Sequence, residues 1–287
     1  MPELPEVETV RRGLERFVVG HSVHDVVVTG TRSVRRQHPD ELVAALRGRQ
    51  LRAARRWGKY LWIDLADKGA PPGAGVQSVL VCHLRMSGQL LKDAPPLRPP
   101  PPHTHVRLVL DDGSELRFVD PRTFGELFVT DELDPAGRPG MLARLGPDPL
   151  IEGIDACRLG ELAAIRRVSL KAFLLDQKVL AGIGNLYADE ICFAARLRPS
   201  RLASSLRGVE VGRLVAASID VLSTAVAARG STLRDARYVD LLGEAGHYQD
   251  HHTVYGRAGE PCPRCGRPIL RTRLAGRSAH YCARCQR

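Results

Sequence analysis

Four cysteines near the end of the chain have the spacing of a metal site. Cys262 and Cys265 form one CxxC pair, sixteen residues follow, and Cys282 and Cys285 form the second pair. Each pair fits a tight turn and the residues between them fit a β-hairpin, so four thiolates can converge on one Zn²⁺. Two redox-active pairs are the alternative, but no thioredoxin-like context surrounds them. Four cysteine ligands leave no open coordination position, which predicts a structural zinc.

Four arginines lie between the two cysteine pairs, on the expected hairpin: Arg267, Arg271, Arg273 and Arg277. Such a cluster is what a finger that grips phosphates requires. A solvated basic face is the alternative interpretation.

The N-terminal stretch PELPEVETV places an acidic cluster next to a proline at position 2. A helix start explains part of this pattern, because Pro5 at a first helical position and Glu6 and Glu8 in the first turn suit the helix dipole. That interpretation leaves Pro2 and Glu3 unexplained.

The composition favours a globular protein with a polyanionic partner. The chain has 287 residues, 44% of them hydrophobic, and carries 42 Lys plus Arg against 32 Asp plus Glu, a formal charge of +10. Basic patches bind phosphates and release counterions, although charge alone is weak evidence for nucleic acid. No long apolar run or signal peptide is present, so we expect a cytoplasmic protein without membrane insertion. The scattered Cys82, Cys157 and Cys192 are most simply buried thiols.

Apolar periodicity predicts an α+β chain with several domains. Helical spacing over residues 5–18 predicts an amphipathic helix, and alternating or β-branched segments up to about residue 130 predict a β-sandwich behind it. The proline-rich stretch 94–103 should be an exposed loop, and the pattern turns helical after a break at 144–150. Residues 231–260 show little periodicity and are predicted to form a long surface loop.

These patterns predict three domains: a β-sandwich at 1–145, a helical domain at 151–245 and a zinc finger at 253–287. The helical domain contains AGIGNLYADE, in which two glycines precede Asn185 and a helix then starts. Freed N–H groups and the asparagine amide can bind one phosphate there, although Gly-x-Gly is common in plain helix connections. Lys171, Arg166 and Arg167 lie upstream and suggest a helical domain that binds a phosphate backbone.

Six motifs in order give the chain a family resemblance: PELPEVET, GKYL, HLRMSG, DPRTFG, GIGNLYADE and the four-cysteine finger. They resemble formamidopyrimidine-DNA glycosylase and span nearly the whole chain. The resemblance implies an N-terminal β-sandwich, a helix-two-turn-helix domain, a zinc finger and a DNA groove between the halves. It also implies a monomeric, bifunctional enzyme of base excision repair that excises oxidised purines from damaged double-stranded DNA and cleaves the strand. In a bacterium such an enzyme would associate with the nucleoid.

The residues can support this chemistry. If Met1 is removed, Pro2 becomes a terminal amine, and a peptide α-amine with a pKa of roughly 7.7–8.0 is partly neutral and nucleophilic near pH 7. Glu3 can protonate the sugar ring oxygen or shuttle protons. The resemblance identifies Lys59 as the catalytic lysine, Arg277 as the finger arginine next to the lesion phosphates, and Glu6 as a base-pocket residue.

A base must leave the stack before it can react, and the gap must then be filled. Met86, Arg122 and Phe124 match the void-filling residues of the family. Without the resemblance, Met86 and Phe124 would be assigned to the core.

The resemblance also implies contacts with the DNA backbone. His103, Arg166 and Asn185 match backbone-contacting positions, although a shift of one residue would select Arg167. Thr123 stands where a second arginine often follows Arg122, which removes one expected phosphate contact. We expect the lesion-capping segment near residues 231–243.

Two other functions fit part of the pattern. The sister endonuclease VIII type excises oxidised pyrimidines and shares Pro2, Glu3 and the finger. A non-enzymatic, zinc-dependent DNA-binding protein would show much the same charge and finger.

Overall fold

The computed structural model describes residues 1–71, 75–233 and 238–287, and the chain divides into two compact units. The first unit contains Met1–Pro2, Glu6–Ala143 and Arg229–Gly246. The second contains Glu3–Pro5, Arg144–Ala228 and His247–Arg287. These two units do not test the predicted domain boundaries, which stay predictions.

The described part of the first unit contains two antiparallel sheets. Their strands are β1 (Val23–Val28), β2 (Arg49–Trp57), β3 (Tyr60–Asp67), β4 (Ser78–His83), β5 (Gln89–Asp93), β6 (Thr104–Leu110), β7 (Glu115–Val119) and β8 (Glu126–Thr130). One sheet has the order β1-β6-β7-β5 and the other β2-β3-β4-β8. Both contribute side chains to one hydrophobic core, as Val106 and Phe118 on one side and Ile63 and Leu80 on the other illustrate. The predicted β-sandwich is confirmed.

Helix α1 (Leu4–Phe17) leads the chain, and α2 (Pro39–Leu46) follows β1. The apolar face of α1 buries Val7, Val10 and Leu14 in the sandwich core, as helical spacing predicts. Beside this face, Glu8 forms ion pairs with Arg11 and Arg12, each one turn along the helix.

The second unit is helical up to the finger. Its helices are α3 (Ala156–Ala164), α4 (Leu170–Leu175), α5 (Asn185–Ala194) and α6 (Gly208–Ala227). The finger contributes the hairpin β9 (Leu270–Leu274) and β10 (Arg277–Tyr281), whose three arginines are all exposed, as is Arg267 just before it. None of the helices in the described residues is long and apolar enough to span a bilayer.

Two expectations about exposure are wrong. Cys157 is exposed on α3, whereas Cys82 and Cys192 are buried as expected. The segment 231–260 is not a plain surface loop, because Tyr238 and Leu241 enter the core of the first unit. An aperiodic segment can still bury single apolar side chains, and such isolated positions give no periodic signal.

The burial of Leu241 predicts a large difference between neighbouring leucines. Leu241 is 1% exposed and lies directly against Gly13, whereas Leu242 is 46% exposed. We expect Leu241→Ala to lower the free energy of unfolding by about 2–5 kcal/mol, and Leu242→Ala to change it by less than about 0.5 kcal/mol. Both tryptophans, Trp57 and Trp62, lie in the first unit, so urea denaturation followed by tryptophan fluorescence reports on this unit. Equal losses in the two variants would contradict the assigned packing.

Candidate active site

The carboxylate of Glu3 binds the start of α5. Its Oε2 accepts hydrogen bonds from the backbone N–H of Gly184 at 2.7 Å and of Tyr187 at 3.3 Å, and its Oε1 accepts one from Leu186 at 2.9 Å. The first N–H groups of a helix lack partners within the helix, and the helix dipole favours negative charge there. Glu3 is buried. The carboxylate next to Pro2 is therefore shielded from water and fixed in direction.

The glycines of GIGN allow this close approach. A Cβ on Gly184 would lie 2.3 Å from Cδ of Glu3, so no larger residue fits without displacing the carboxylate. The backbone N–H of Leu4 also donates to the carbonyl oxygen of Gly182, at 3.0 Å. The chain before α1 is thus fixed to the turn before α5 through both side chain and backbone.

Lys171 lies in the interior of the second unit and not on its surface. Its side chain is fully buried, and Nζ donates to Asp189 Oδ1 at 2.6 Å and to the carbonyl oxygens of Ser278 at 2.6 Å and Asn185 at 3.2 Å. A phosphate contact requires an accessible ammonium group, so this position does not fit the expected DNA contact. Lys171 instead joins α4, α5 and the finger hairpin.

The same network places Arg277. This exposed arginine begins β10, next to Ser278, whose carbonyl Lys171 binds. Two residues further on, the backbone N–H and Nδ1 of His280 lie 2.9 and 3.1 Å from Asp189 Oδ2. Asn185 lies near the same strand, with its Nδ2 3.5 Å from Ser278 Oγ. Glu3, Asn185 and Arg277 are thus positioned by the same part of the second unit.

Glu190 fixes the segment that leads into the finger. Its Oε1 accepts from the N–H groups of Val254 at 3.0 Å and Tyr255 at 2.8 Å, and its Oε2 accepts from Thr253 N–H at 2.9 Å and from the Thr253 hydroxyl. A buried carboxylate with this many donors is well compensated for lost hydration.

Sequence reasoning missed the roles of Asp189 and Glu190. The signal was present, because two adjacent acids interrupt an otherwise apolar stretch, LYADEICFA. Acidic residues are almost never fully buried unless they are paired, so two of them on a buried helix indicate binding partners elsewhere in the chain.

The four finger cysteines form a group suited to one zinc ion. Their Sγ atoms all lie within 4.8 Å of one another, with Cys262 and Cys285 at 3.9 Å and Cys265 and Cys282 at 3.5 Å. A tetrahedral site with Zn–S bonds of about 2.3 Å separates its sulfurs by about 3.8 Å. The donor set and its spacing therefore fit one structural zinc, as the sequence predicts.

In the first unit, Lys59 lies in the two-residue turn between β2 and β3. Gly58 provides the positive φ of 57° that such a turn favours, and Trp57 pairs with Tyr60 across it. The buried Arg56 donates to the carbonyl of Gly58 at 3.1 Å, which holds the turn rigid. Lys59 itself is largely buried, which is unusual for a lysine.

Pro2 and Glu6 are both buried. Glu6 Oε1 accepts a hydrogen bond from the N–H of Ser231 at 2.8 Å, and the Tyr238 hydroxyl donates to the Glu6 carbonyl at 3.3 Å. Glu6 thus binds the beginning of the expected lesion-capping segment. Residues 234–237 of that segment lie outside the described part of the chain.

The three candidate void-filling residues are exposed. Met86 is 42% and Phe124 41% exposed, and the guanidinium carbon of Arg122 lies 5.2 Å from the centre of the Phe124 ring. The core location that residue type alone would favour for Met86 and Phe124 is therefore not what the structure shows. Large apolar side chains on loops suit a contact surface better than a core.

The remaining candidates for contacts with the DNA backbone are His103 in the first unit and Arg166 or Arg167 in the second. His103 is exposed in the first unit, and its carbonyl accepts the N–H of Asp120 at 3.0 Å. Arg166, in the connection between α3 and α4, forms an ion pair with Asp176 at 3.4 Å, whereas Arg167 is exposed. The choice between the two arginines stays open.

The fold and the site define a class of zinc-finger protein with several domains. Its members combine a sheet domain with a leading helix, a helix-two-turn-helix (H2TH) domain and a four-cysteine finger. Three family models match in that order: the formamidopyrimidine-DNA glycosylase N-terminal domain over residues 1–127, the formamidopyrimidine-DNA glycosylase H2TH domain over 145–237, and the zinc finger found in FPG and IleRS over 259–287. The chain belongs to the formamidopyrimidine-DNA glycosylase family, as its motifs predict.

Full-length relatives agree with this assignment. The chain is 45% identical to the formamidopyrimidine-DNA glycosylase of Nocardia farcinica, covering 100% of this chain and 98% of that protein. Its identity to the enzyme of Geobacillus kaustophilus is 44%, with both chains covered completely. Among solved structures, MutM (Fpg) from Thermus thermophilus superposes with a TM-score of 0.84 at 41% identity, covering 99% of this chain and 98% of that chain. The wild-type Lactococcus lactis Fpg (MutM), in complex with DNA containing N7-benzyl-Fapy-dG, gives 0.87 at 32% identity over the whole of both chains.

The sulfur cluster predicts one zinc ion per chain. Metal analysis of the purified protein should give a 1:1 ratio, and Cys265→Ser should lower it because one of four ligands is lost. Cys157→Ser is the matched control, since that cysteine is exposed and lies outside the cluster. Removing the metal with a chelator should unfold the finger, because site formation and folding are coupled. A full zinc content in Cys265→Ser would contradict the assigned ligand set.

Proposed function

We propose that this chain is a bifunctional DNA glycosylase and AP lyase of base excision repair that excises oxidised purines, such as 8-oxoguanine and formamidopyrimidines, from double-stranded DNA. One observation carries the proposal: the residue after Pro2 is a buried carboxylate held by three backbone N–H groups. These bonds fix the residue that directly follows Pro2, and Pro2 itself is buried. Fixed placement of a nucleophile next to a proton-transfer group is what covalent catalysis requires.

Pro2 is the proposed nucleophile. After removal of Met1, its neutral amine attacks C1′ of the damaged nucleotide, the C1′–N bond to the base breaks, and the base leaves with a proton. The amine then gives up its proton, the C1′–O4′ bond breaks as O4′ takes a proton, and the ring-opened product is an iminium ion between Pro2 and C1′. Its positive nitrogen withdraws electrons, so the C2′ proton becomes acidic and its loss expels the 3′ phosphate. A second elimination releases the 5′ phosphate.

Glu3 moves protons at the sugar in this mechanism. Its burial shields it from bulk water, and its three N–H donors fix the direction of its oxygens. Lys59 places an ammonium group near the reacting sugar, where it stabilises developing negative charge or donates a proton. Glu6 supports the base pocket, and Arg277 binds the phosphates next to the lesion and assists the second elimination.

Met86, Arg122 and Phe124 occupy the space that the extruded base leaves. Met86 enters the stack as an apolar side chain, Arg122 hydrogen-bonds the opposite cytosine, and Phe124 stacks on a neighbouring base. Their exposure on loops supports these roles, because a side chain buried in the core could not reach DNA.

The backbone is bound by His103, by Arg166 or Arg167, and by Asn185 at the start of α5. Asn185 is partly exposed at the start of α5, where a side-chain amide can donate to a phosphate. Lys171 acts on this surface indirectly, by holding Asn185 and Ser278.

One structural zinc holds the finger, and the protein acts as a monomer on damaged DNA. We place it in the cytoplasm, and at the nucleoid in a bacterial cell, because the relatives described above come from bacteria. The domain limits 1–145, 151–245 and 253–287 are part of the proposal.

Borohydride reduction during turnover tests the nucleophile and the substrate together. On a duplex with 8-oxoguanine opposite cytosine, the iminium should be reduced to a stable covalent adduct, and peptide mapping should locate it at Pro2. Retention of Met1, or acetylation of the terminal amine, should abolish the adduct because no free amine remains.

The same assay separates the alternatives. A thymine-glycol duplex should give much less product than the 8-oxoguanine duplex, and the reverse preference would favour the oxidised-pyrimidine enzyme. A protein that binds the duplex without excision or adduct would be the non-enzymatic DNA-binding protein. An adduct that persists after the amine is blocked would overturn the role of Pro2.

Glu3→Gln should keep DNA affinity and lose base excision. Both Glu3→Gln and the matched control Glu190→Gln replace a buried carboxylate that accepts several backbone N–H groups, so each should cost about 1–3 kcal/mol of stability. Only Glu3 lies next to Pro2, so excision at saturating DNA should fall by at least about 100-fold in Glu3→Gln alone. Single-turnover excision and DNA-binding titration measure the two effects. Unchanged excision in Glu3→Gln would refute the assigned role.

A further inference from the structure

Two loops carry the candidate void-filling residues, and they leave neighbouring strands of one sheet. The first loop, residues 84–88, follows β4 and contains Met86. The second, residues 120–125, precedes β8 and contains Arg122 and Phe124. Because His83 at the end of β4 pairs with Glu126 at the start of β8, the loops leave the sheet side by side.

Asp120 links the two loops from inside. It is fully buried. Its Oδ1 accepts from the Ser87 hydroxyl of the first loop and from the N–H of Arg122 in the second, and its Oδ2 accepts from the N–H of Gly125 at 2.6 Å. A Cβ on Gly125 would lie 2.6 Å from the Phe118 ring and 3.0 Å from Asp120 Oδ2, so this close turn requires glycine.

Glu126 links the same loops through arginines. Its Oε1 accepts from Arg85 at 2.6 Å and from Arg35 at 3.0 Å, and its Oε2 accepts from Arg36 at 2.6 Å. Arg85 directly precedes Met86, and Arg35 also donates to the carbonyl oxygen of Phe124 at 3.1 Å. One buried carboxylate therefore restrains both loops and the chain before α2.

The electrostatics keep this link intact. Burial alone would raise the pKa of Glu126, but its hydrogen bonds with Arg85 and Arg36 outweigh burial and lower the pKa to about 2. Burial lowers the pKa of His83 to about 3, so at neutral pH its Nδ1 can accept the N–H of Arg85, at 3.0 Å. The link is therefore fully formed throughout the physiological pH range.

The second loop holds a backbone conformation that needs such restraint. Thr123 has a φ of 54°, in the left-handed region that is a genuine outlier for a β-branched residue. Strained conformations persist only where the surrounding structure determines them, and the bonds of Asp120 to Arg122 and Gly125 lie on both sides of Thr123.

We propose that Glu126, acting with Asp120, is a positioning residue for base extrusion: it joins the two loops into one preformed unit that presents Met86, Arg122 and Phe124 to the duplex together. This inference rests on the proposed glycosylase function and adds a role that none of its catalytic residues provides. Glu126 touches no substrate. Its effect is confined to steps that need the void to be filled.

Glu115 provides a matched control within the same unit. It is also buried and lies between two arginines, with Arg117 Nε at 2.6 Å and Arg107 at 2.9 Å. It lies on β7, away from both loops. Glu126→Gln and Glu115→Gln therefore remove the same charge from similar surroundings, and only the first loosens the void-filling residues.

The test compares two substrates that share the chemistry and differ in the need for extrusion. One is a duplex with 8-oxoguanine opposite cytosine, and the other is an abasic site in single-stranded DNA, which has no stack and no opposite base. We expect Glu126→Gln to slow duplex excision at least about tenfold while strand cleavage of the single strand changes less than about twofold. It should also narrow the preference for cytosine over adenine opposite the lesion. Glu115→Gln should leave the ratio of the two rates unchanged.

Two further measurements keep the inference open to refutation. Stopped-flow fluorescence of 2-aminopurine placed next to the lesion follows extrusion directly, and its rate should fall in Glu126→Gln alone. If that variant folds poorly, Arg85→Gln removes one link only and should shift the substrate ratio in the same direction. Equal duplex rates in wild type and in a folded Glu126→Gln would overturn the positioning role. A wild-type protein inactive on both substrates would instead refute the proposed function.

Discussion

The carboxylate of Glu3 on the first amides of α5 is the interaction on which the candidate site depends. The start of a chain is normally mobile, and the start of a helix has N–H groups without partners. The Glu3 carboxylate accepts hydrogen bonds from three N–H groups at the start of α5 that would otherwise lack partners. The same bonds fix the position of the residue next to Pro2. These hydrogen bonds require glycine at position 184, since any Cβ there would occupy the space of the Glu3 carboxylate.

Helix α5 extends this arrangement to the finger. Asp189 binds Lys171 and His280, and Glu190 binds the segment at Thr253. Burying charges is costly unless each has close partners, and in both cases the partners are contributed by distant parts of the chain. Helix α5 thus fixes Glu3 at its start and the strand of Arg277 along its side, so a proton-transfer group and a phosphate-binding group share one support within the second unit.

The sequence predicts what depends on local pattern or on motif spacing. The four-cysteine group, the leading helix and the sheet domain were accessible because CxxC spacing and apolar periodicity reflect local geometry. The position of Lys171 was not, because whether a lysine is buried depends on an aspartate eighteen residues away and on carbonyls of the finger. The exposure of Cys157 and the burial of Leu241 were predicted wrongly for the same reason, because an isolated residue carries no periodic signal. The roles of Asp120 and Glu126 could not be predicted from the sequence, because most of their partners are arginines, amides and a hydroxyl in loops and not in the same strand.

The exposure of the candidate void-filling residues has a cost in stability. Keeping Met86 and Phe124 in water gives up the free energy that their burial would provide, about 1.5–3 kcal/mol for each. Immobilising each flexible side chain on binding costs a further 0.5–1.5 kcal/mol or so. Buried acids that hold the surrounding backbone in place offset part of that ordering cost during folding, before DNA arrives. In the first unit Asp120 and Glu126 do this for two loops, much as the amides of α5 do it for Glu3 in the second. In both units a buried carboxylate surrounded by donors gives a flexible segment one fixed conformation.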